Sequence, residues 1–275
     1  MSVLANAYSQ VRNWTRVRRD LCAGRRRLLF SPDFTPEEKR LLRRVSLRVH
    51  HRDSMYEGNG FHYLSVGLSA NRCIREALRS VGRTLPGDSI LDFPSGYGRV
   101  LRFLRAEFPD SDITAAEIDG QALDFCQRSF DVTPFLSTER FSVLRLPREF
   151  DLIWCGSLLT HIDQHAARDL LRVFQEHLSD GGVCVVTTCG RRSMEWLQRQ
   201  EVTYGLSEDA RQRVLRQLRS QGYGYADYTN QSGYGISMIT HEGMRQLVAD
   251  VGGWRETLFL EHGWDDHQDV YAFST

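Results

Sequence analysis

Two glycines, Gly96 and Gly98, follow an apolar run in the stretch ILDFPSGYGRV, and an acid, Glu117, closes a second apolar run 25 residues after Asp92. Glycines placed just after a buried strand let a ligand approach the backbone. A carboxylate at the end of the next strand offers two acceptor oxygens to a ribose diol. Together these residues point to an adenosine-containing ligand. The dinucleotide fingerprint G-x-G-x-x-G needs a small residue at position 101, where this chain has Leu101, so a nicotinamide dinucleotide is the poorer reading. Pro94 stands where such loops usually open with glycine. Proline sets φ near about −65° and donates no N–H, which changes the start of the loop while leaving both glycines in place.

Few residues could move a proton. His161, in SLLTHI, lies just past another apolar run. Its unperturbed pKa of about 6.5 suits a general base at neutral pH, although a histidine that merely bonds a loop fits the same position. HGWDDHQD gathers His262, Asp265, Asp266 and His267. A divalent metal would favour such ligands, but Gly263 and the aspartates are ordinary turn residues, so we expect a hairpin turn and no metal. Asp266 and His267 remain secondary candidates for contact with substrate. Tyr225, Tyr228 and Tyr234, with Tyr223, are interleaved with Gly, Asp and Asn. Their faces suit a sugar or a planar small molecule, and an irregular surface loop is the competing reading. DSMYEGNGFHYLSVG, 53–67, reads as a loop that forms the other wall or a lid, with Tyr56, His62 and Tyr63 as candidates.

Alternating strands and helices must position these groups. SILDF (89–93) leads through the glycines to a helix carrying Val100, Leu101, Leu104 and Phe108, stopped at Pro109. DITAAEI (112–118) leads to a helix with Leu123, Cys126 and Phe130. A weaker strand near 133–136 precedes FDLIWCG (150–156), a helix over 164–178 and GGVCVVTTCG (181–190). Helices near 192–200 and 207–221 and a Thr240-capped helix follow, and WRETLFLE and DVYAFST close the chain. Nearly all-apolar strands alternating with helices predict an α/β fold with a parallel sheet covered on both faces. The short last connection predicts an antiparallel hairpin, hence one reversed strand.

The front of the chain differs in charge. Residues 1–52 hold 13 basic against 4 acidic side chains, although the whole chain is neutral. Arginines alternate with Val11, Trp14, Val17, Leu21 and Leu28 at helical spacing. A helix packed through its apolar stripe is the favoured reading, because surface arginines need no ligand. Contact with nucleic acid, an anionic lipid surface or an acidic partner is the alternative. TPEEKRLLRRVSLRV predicts a helix with Thr35 as N-cap, Pro36 at its first position and Glu38 completing a capping box. A further helix over 65–81 carries Ile74, Ala77, Leu78 and Val81.

Several of these stretches, in order, resemble class I S-adenosylmethionine-dependent methyltransferases. ILDFPSGYG is similar to their motif I, with Asp92, Gly96 and Gly98 in place; ITAAEID to the second motif, FDLIWCGSLLTHI to the fourth, and LLRVFQEHLSDGGVCVVTT to the helix, turn and strand beyond it. The D-F-P-S/C-G-x-G-R form of motif I resembles a bacterial subset of that family. The resemblance implies a doubly wound, Rossmann-like, seven-stranded mostly parallel sheet with one reversed strand, over 65–275, preceded by a basic helical extension and lid over 1–64. It implies S-adenosyl-L-methionine as cofactor, with Asp92, Pro94, Ser95, Gly96, Gly98 and Arg99 forming its loop. Glu117 would hold the ribose, Ile118 would pack on the adenine, and Asp119 would bond locally or cap the next helix. Cys155, Gly156 and Ser157 would also bind the cofactor.

The 41% apolar and 25% charged fractions are those of a soluble globular protein. No apolar run approaches a membrane span and the six cysteines form no CxxC pair, so a cytoplasmic protein with reduced thiols is expected, with no membrane partner. A small-molecule acceptor methylated at oxygen is the favoured function. The acidic body argues against nucleic acid. A peptide or RNA acceptor, an inactive cofactor-binding scaffold and a homo-oligomer stay open.

Overall fold

The computed structural model describes residues 3–275, with side chains from residue 15 onward, so the expected roles of Val11 and Trp14 lie outside the described side chains. Three helices open the chain: α1 (Val3–Phe30), α2 (Pro36–Arg44) and α3 (Gly60–Ser80). The Thr35 capping box forms as the sequence predicts. Leu21, Leu28, Leu41, Leu42, Leu64 and Leu68 bury one shared cluster, so the described apolar residues Leu21 and Leu28 of α1 are spent on packing.

The sheet then builds in chain order: β1 (Ser89–Asp92), α4 (Leu101–Glu107), β2 (Asp112–Glu117), α5 (Gly120–Phe130), β3 (Thr133–Leu136), β4 (Phe150–Cys155), α6 (Gln164–Glu176) and β5 (Leu178–Thr188). After α7 (Arg191–Arg199) and α8 (Glu208–Gln221) come β6 (Tyr223–Tyr228) and β7 (Gln231–Ile239), then α9 (His241–Val251), β8 (Arg255–Trp264) and β9 (Gln268–Ser274). Seven strands lie in the order β3-β2-β1-β4-β5-β9-β8, with β9 antiparallel to both neighbours and the other six parallel. This is the doubly wound, Rossmann-like architecture expected. Strand residues alternate between two cores: Leu91, Ile153, Cys155, Cys184 and Val186 face one, and Ile90, Leu152, Trp154, Val183 and Val185 the other. Burial on both faces explains why these strands read as unbroken apolar runs.

Two expectations change. The stretch 53–67 is only partly loop, because α3 begins at Gly60 behind the N-cap Asn59. Gly60 and Gly24 lie at a helix crossing so close that a Cβ on Gly60 would come 2.7 Å from Asp20 O. The competing reading of the Gly-Tyr segment near 223–239 as an irregular surface loop gives way as well: β6 and β7 pair into a separate two-stranded antiparallel ribbon, with one shift of register between Asp227 and Tyr228. All six cysteines are free thiols and five are buried. No described helix is long and apolar enough to cross a membrane.

Candidate active site

In a sheet of this order the sequence in which strands are added reverses between the parallel neighbours β1 and β4, and ligands bind in the crevice beyond their carboxyl ends. Asp92 ends β1 there. It is 1% exposed, and its Oδ2 has no hydrogen-bond partner. Burial, and secondly the nearby Glu117 charge, push its pKa well above the usual carboxylate range.

The loop that follows is held by Glu117. Gly96 N–H donates to Glu117 Oε2 at 2.9 Å, and Ile118 N–H donates to Oε1 at 2.8 Å. Ser95 N–H donates to Ala116 O, tying the loop to the end of β2. The Phe93–Pro94 peptide is cis. Gly96 and Gly98 have φ of 51° and 81°, yet they are needed for different reasons. A Cβ on Gly96 would enter open space, the cradle a ligand could fill, whereas one on Gly98 would strike the ring of Phe130. Ile118 and Leu136 are 53% and 65% exposed at the ends of the paired strands β2 and β3. Leu136 is the register partner of Glu117 and Ile118 directly follows it, so both place exposed apolar side chains at this strand end, and Leu136 is a residue the sequence did not single out. Asp119 caps α5 by accepting from Gln121 N–H, and it also accepts from Tyr97 OH at 2.8 Å.

At the end of β4, a Cβ on Gly156 would press on the Trp154 indole nitrogen, and Cys155 is buried. Ser157 adopts φ 62° within a closed ring of bonds: Ser157 N–H donates to Thr187 Oγ1 (2.8 Å), Thr187 Oγ1–H to Gln268 Oε1 (2.6 Å), and Gln268 Nε2 to Ser157 Oγ (3.1 Å). Thr187 and Gln268 were not flagged from sequence, because nothing local distinguishes them from other strand-end polar residues.

His161 meets the β6–β7 ribbon. Ribbon and turn are stitched by Gly235 N–H to His161 O and Ser237 N–H to Thr160 O. His161 Nδ1 lies 2.8 Å from Gly235 O, an obligate acceptor, so Nδ1 carries the proton and Nε2 keeps its lone pair. Tyr234 stacks on the imidazole at 4.8 Å and Tyr228 OH lies 3.2 Å from Nδ1. Burial lowers the imidazole pKa below 6.5, against a smaller opposing effect of the Gly235 carbonyl. Burial first, and then the charge of Glu117, raise the Tyr234 phenol, which sets this ring in the electrostatic reach of the loop site.

The other sequence candidates have partners of their own. Tyr225 packs on a different cluster from Tyr228 and donates to Asp227. Tyr63 is 1% exposed, its hydroxyl donating to Asp53 and accepting from Arg102; Tyr56 donates to Asp20. Both tyrosines belong to the cluster built by α1, α2 and α3. His62 sits at 3.9 Å from Asp265. Asp266 pairs with Arg192, while His267 contacts Tyr204 OH through Nε2 at 3.2 Å and leans on Trp196.

Residues 91–184 match a family model described as a methyltransferase domain. No curated protein matches the chain. Among solved structures, a S-adenosylmethionine-dependent methyltransferase from Clostridium acetobutylicum ATCC 824 is similar with a TM-score of 0.52 and 15% identity, covering 74% of this chain and 89% of that one. Streptomyces venezuelae DesVI gives 0.54 and 17%, covering 82% of this chain and 98% of its own. At such identities the likeness establishes the fold.

Proposed function

We propose that this chain is a class I methyltransferase that binds S-adenosyl-L-methionine and directs its methyl group to an oxygen of a small-molecule acceptor. The residues present fit that cofactor. Glu117 keeps lone pairs for ribose hydroxyls, Ile118 and Leu136 offer an apolar face to adenine, and Gly96 leaves room at the loop. Asp92 Oδ2, buried without a partner, is a ready acceptor for an ammonium or a bridging water. When bound, the cofactor supplies an activated methyl group on a sulfonium.

The chain's own task is then to orient the acceptor, exclude water and take a proton. The observation that carries the oxygen reading is the tautomer of His161. With Nδ1–H donated to Gly235 O, Nε2 is left to accept the acceptor's hydroxyl proton. The same carbonyl stabilises the resulting imidazolium until it loses its proton to solvent. Tyr228, pushed up to about 12 chiefly by burial, stays a neutral phenol and shields one side of the ring. Ser157, locked by Thr187 and Gln268, presents a fixed hydroxyl at the end of β4.

The test is release of S-adenosylhomocysteine across phenolic, sugar and carboxylic acceptors, with calorimetric binding of S-adenosylmethionine alongside. Wild type should bind the cofactor and turn over a hydroxylated acceptor. His161→Ala should keep the affinity and lose roughly 10²–10⁴-fold in turnover. Absence of cofactor binding refutes the proposal, and binding without turnover on any acceptor supports an inactive scaffold instead.

A further inference from the structure

The proton and methyl chemistry above leaves Arg99 unused, although it directly follows Gly98. Its guanidinium is mostly buried between the glycine loop, the first turns of α3 and the β8–β9 turn, where Tyr63, Asp53 and Asp265 are its electrostatic neighbours. Among the described residues no carboxylate comes within 4.0 Å of it, and it donates no hydrogen bond. The two nearest acids are engaged elsewhere: Asp53 accepts from Tyr63 OH and Met55 N–H, and Asp265 faces His62.

Arg102, one helical turn on, shows what a structural arginine looks like in this chain. It is 1% exposed, and its N–H groups go to Gly98 O, Ser46 O, Arg48 O and Tyr63 OH. Arg99 has only an aromatic partner, Trp264, whose ring centroid lies 5.9 Å from its central carbon. That indole is fixed, because its Nε1–H donates to Val66 O at 3.0 Å and its ring meets Trp154 edge-on at 5.4 Å. A guanidinium over an indole face keeps its in-plane fork of donors available. Burying such a charge without a hydrogen-bonded partner is costly, and a bidentate carboxylate is the group whose geometry matches the fork.

We propose that Arg99 anchors a carboxylate of a bound ligand at the mouth of the site: the acidic group of the methyl acceptor or the amino-acid tail of the cofactor. This rests on the function proposed above. Calorimetry on the full chain separates the two sources, using wild type, Arg99→Met and Arg99→Lys. One arm compares S-adenosylhomocysteine with 5′-methylthioadenosine, which lacks the amino-acid carboxylate; the other titrates benzoate into protein saturated with S-adenosylhomocysteine. In Arg99→Met the carboxylate-bearing probe of one arm should weaken about tenfold or more, with 5′-methylthioadenosine unchanged and Arg99→Lys falling between. Selective loss of S-adenosylhomocysteine assigns the cofactor tail, and selective loss of benzoate the acceptor. Unchanged affinities in both arms, or a parallel loss of 5′-methylthioadenosine, overturn the anchor. Failure of wild type to bind either nucleoside would sink the cofactor reading itself. A thermal midpoint accompanies each variant: Arg99→Met should unfold no earlier than wild type, as a charge without a carboxylate partner is removed, whereas Arg102→Met should unfold earlier.

Discussion

Gly96 and Gly98 sit two residues apart with the same left-handed backbone, so replacing each by alanine separates the strain of φ from what the missing Cβ leaves free. The conformational cost is common to both, about 1–2 kcal/mol. Gly96→Ala adds little more to it, since nothing lies within 4 Å of the new methyl group. Gly98→Ala also drives a methyl into the Phe130 ring, and overpacking of a filled core adds about 1–3 kcal/mol. Urea denaturation should therefore show Gly98→Ala losing about 2–5 kcal/mol and Gly96→Ala about 1–2. Calorimetry with S-adenosylhomocysteine should show the opposite emphasis in the folded proteins, the larger loss of affinity falling on Gly96→Ala. A Gly98→Ala, Phe130→Leu double variant, which removes the ring edge, should be more stable than the sum of the single changes. Equal stability losses in the two glycine variants, or strict additivity in the double, would refute the division between cradle and packing.

Glu117→Ala removes the acceptor of both Gly96 N–H and Ile118 N–H, so cofactor affinity should fall at least about tenfold in a calorimetric titration; undiminished affinity contradicts its role. For His161 the base must be neutral, and burial lowers its pKa, so kcat/KM should be lost as pH falls through a value below 6.5. A pH–rate midpoint at or above 6.5, or a limb retained in His161→Ala, would count against it. Asp92 is protonated more readily folded than unfolded, so its contribution is fully present below 3.8 and is lost as pH rises through its raised folded value. Relative to Asp92→Asn, wild type should lose up to about 1.4 kcal/mol per pH unit over that window. Parallel stability curves between pH 4 and 8 would show that the carboxyl is not buried as described.

The sheet was legible in sequence because its strands are buried on both faces and bounded by turn residues, and the caps at Thr35, Asp119 and Thr240 announce their helices by side-chain chemistry alone. The β6–β7 ribbon was not. Glycines among its tyrosines fit an irregular surface loop equally well, yet Gly224 and Gly235 are there because Val214 O and Ala226 O approach too closely for any Cβ. The start of α3 was hidden in the same way, by a glycine that serves a helix crossing. At the candidate site, Asp92 and Glu117 could be picked out because each ends a recognisable strand, and Gly96 and His161 because they lie in the loops that follow β1 and β4. Leu136, Thr187 and Gln268 join them only through the register of β3, β5 and β9, which is a property of the folded sheet. Tyr63, a candidate for the wall or lid, lies in the core, where its hydroxyl donates to Asp53 and accepts from Arg102, a burial that no local spacing announces.

The measurement that bears most directly on the proposed methyl transfer is a crystal structure of the complex with S-adenosylhomocysteine. The ribose hydroxyls should lie within hydrogen-bond distance of Glu117, the adenine against Ile118 and Leu136, and the sulfur should face His161 Nε2 beneath Tyr234. A nucleoside bound away from Glu117, or a sulfur turned from the wall that His161 forms with the β6–β7 ribbon, would contradict it.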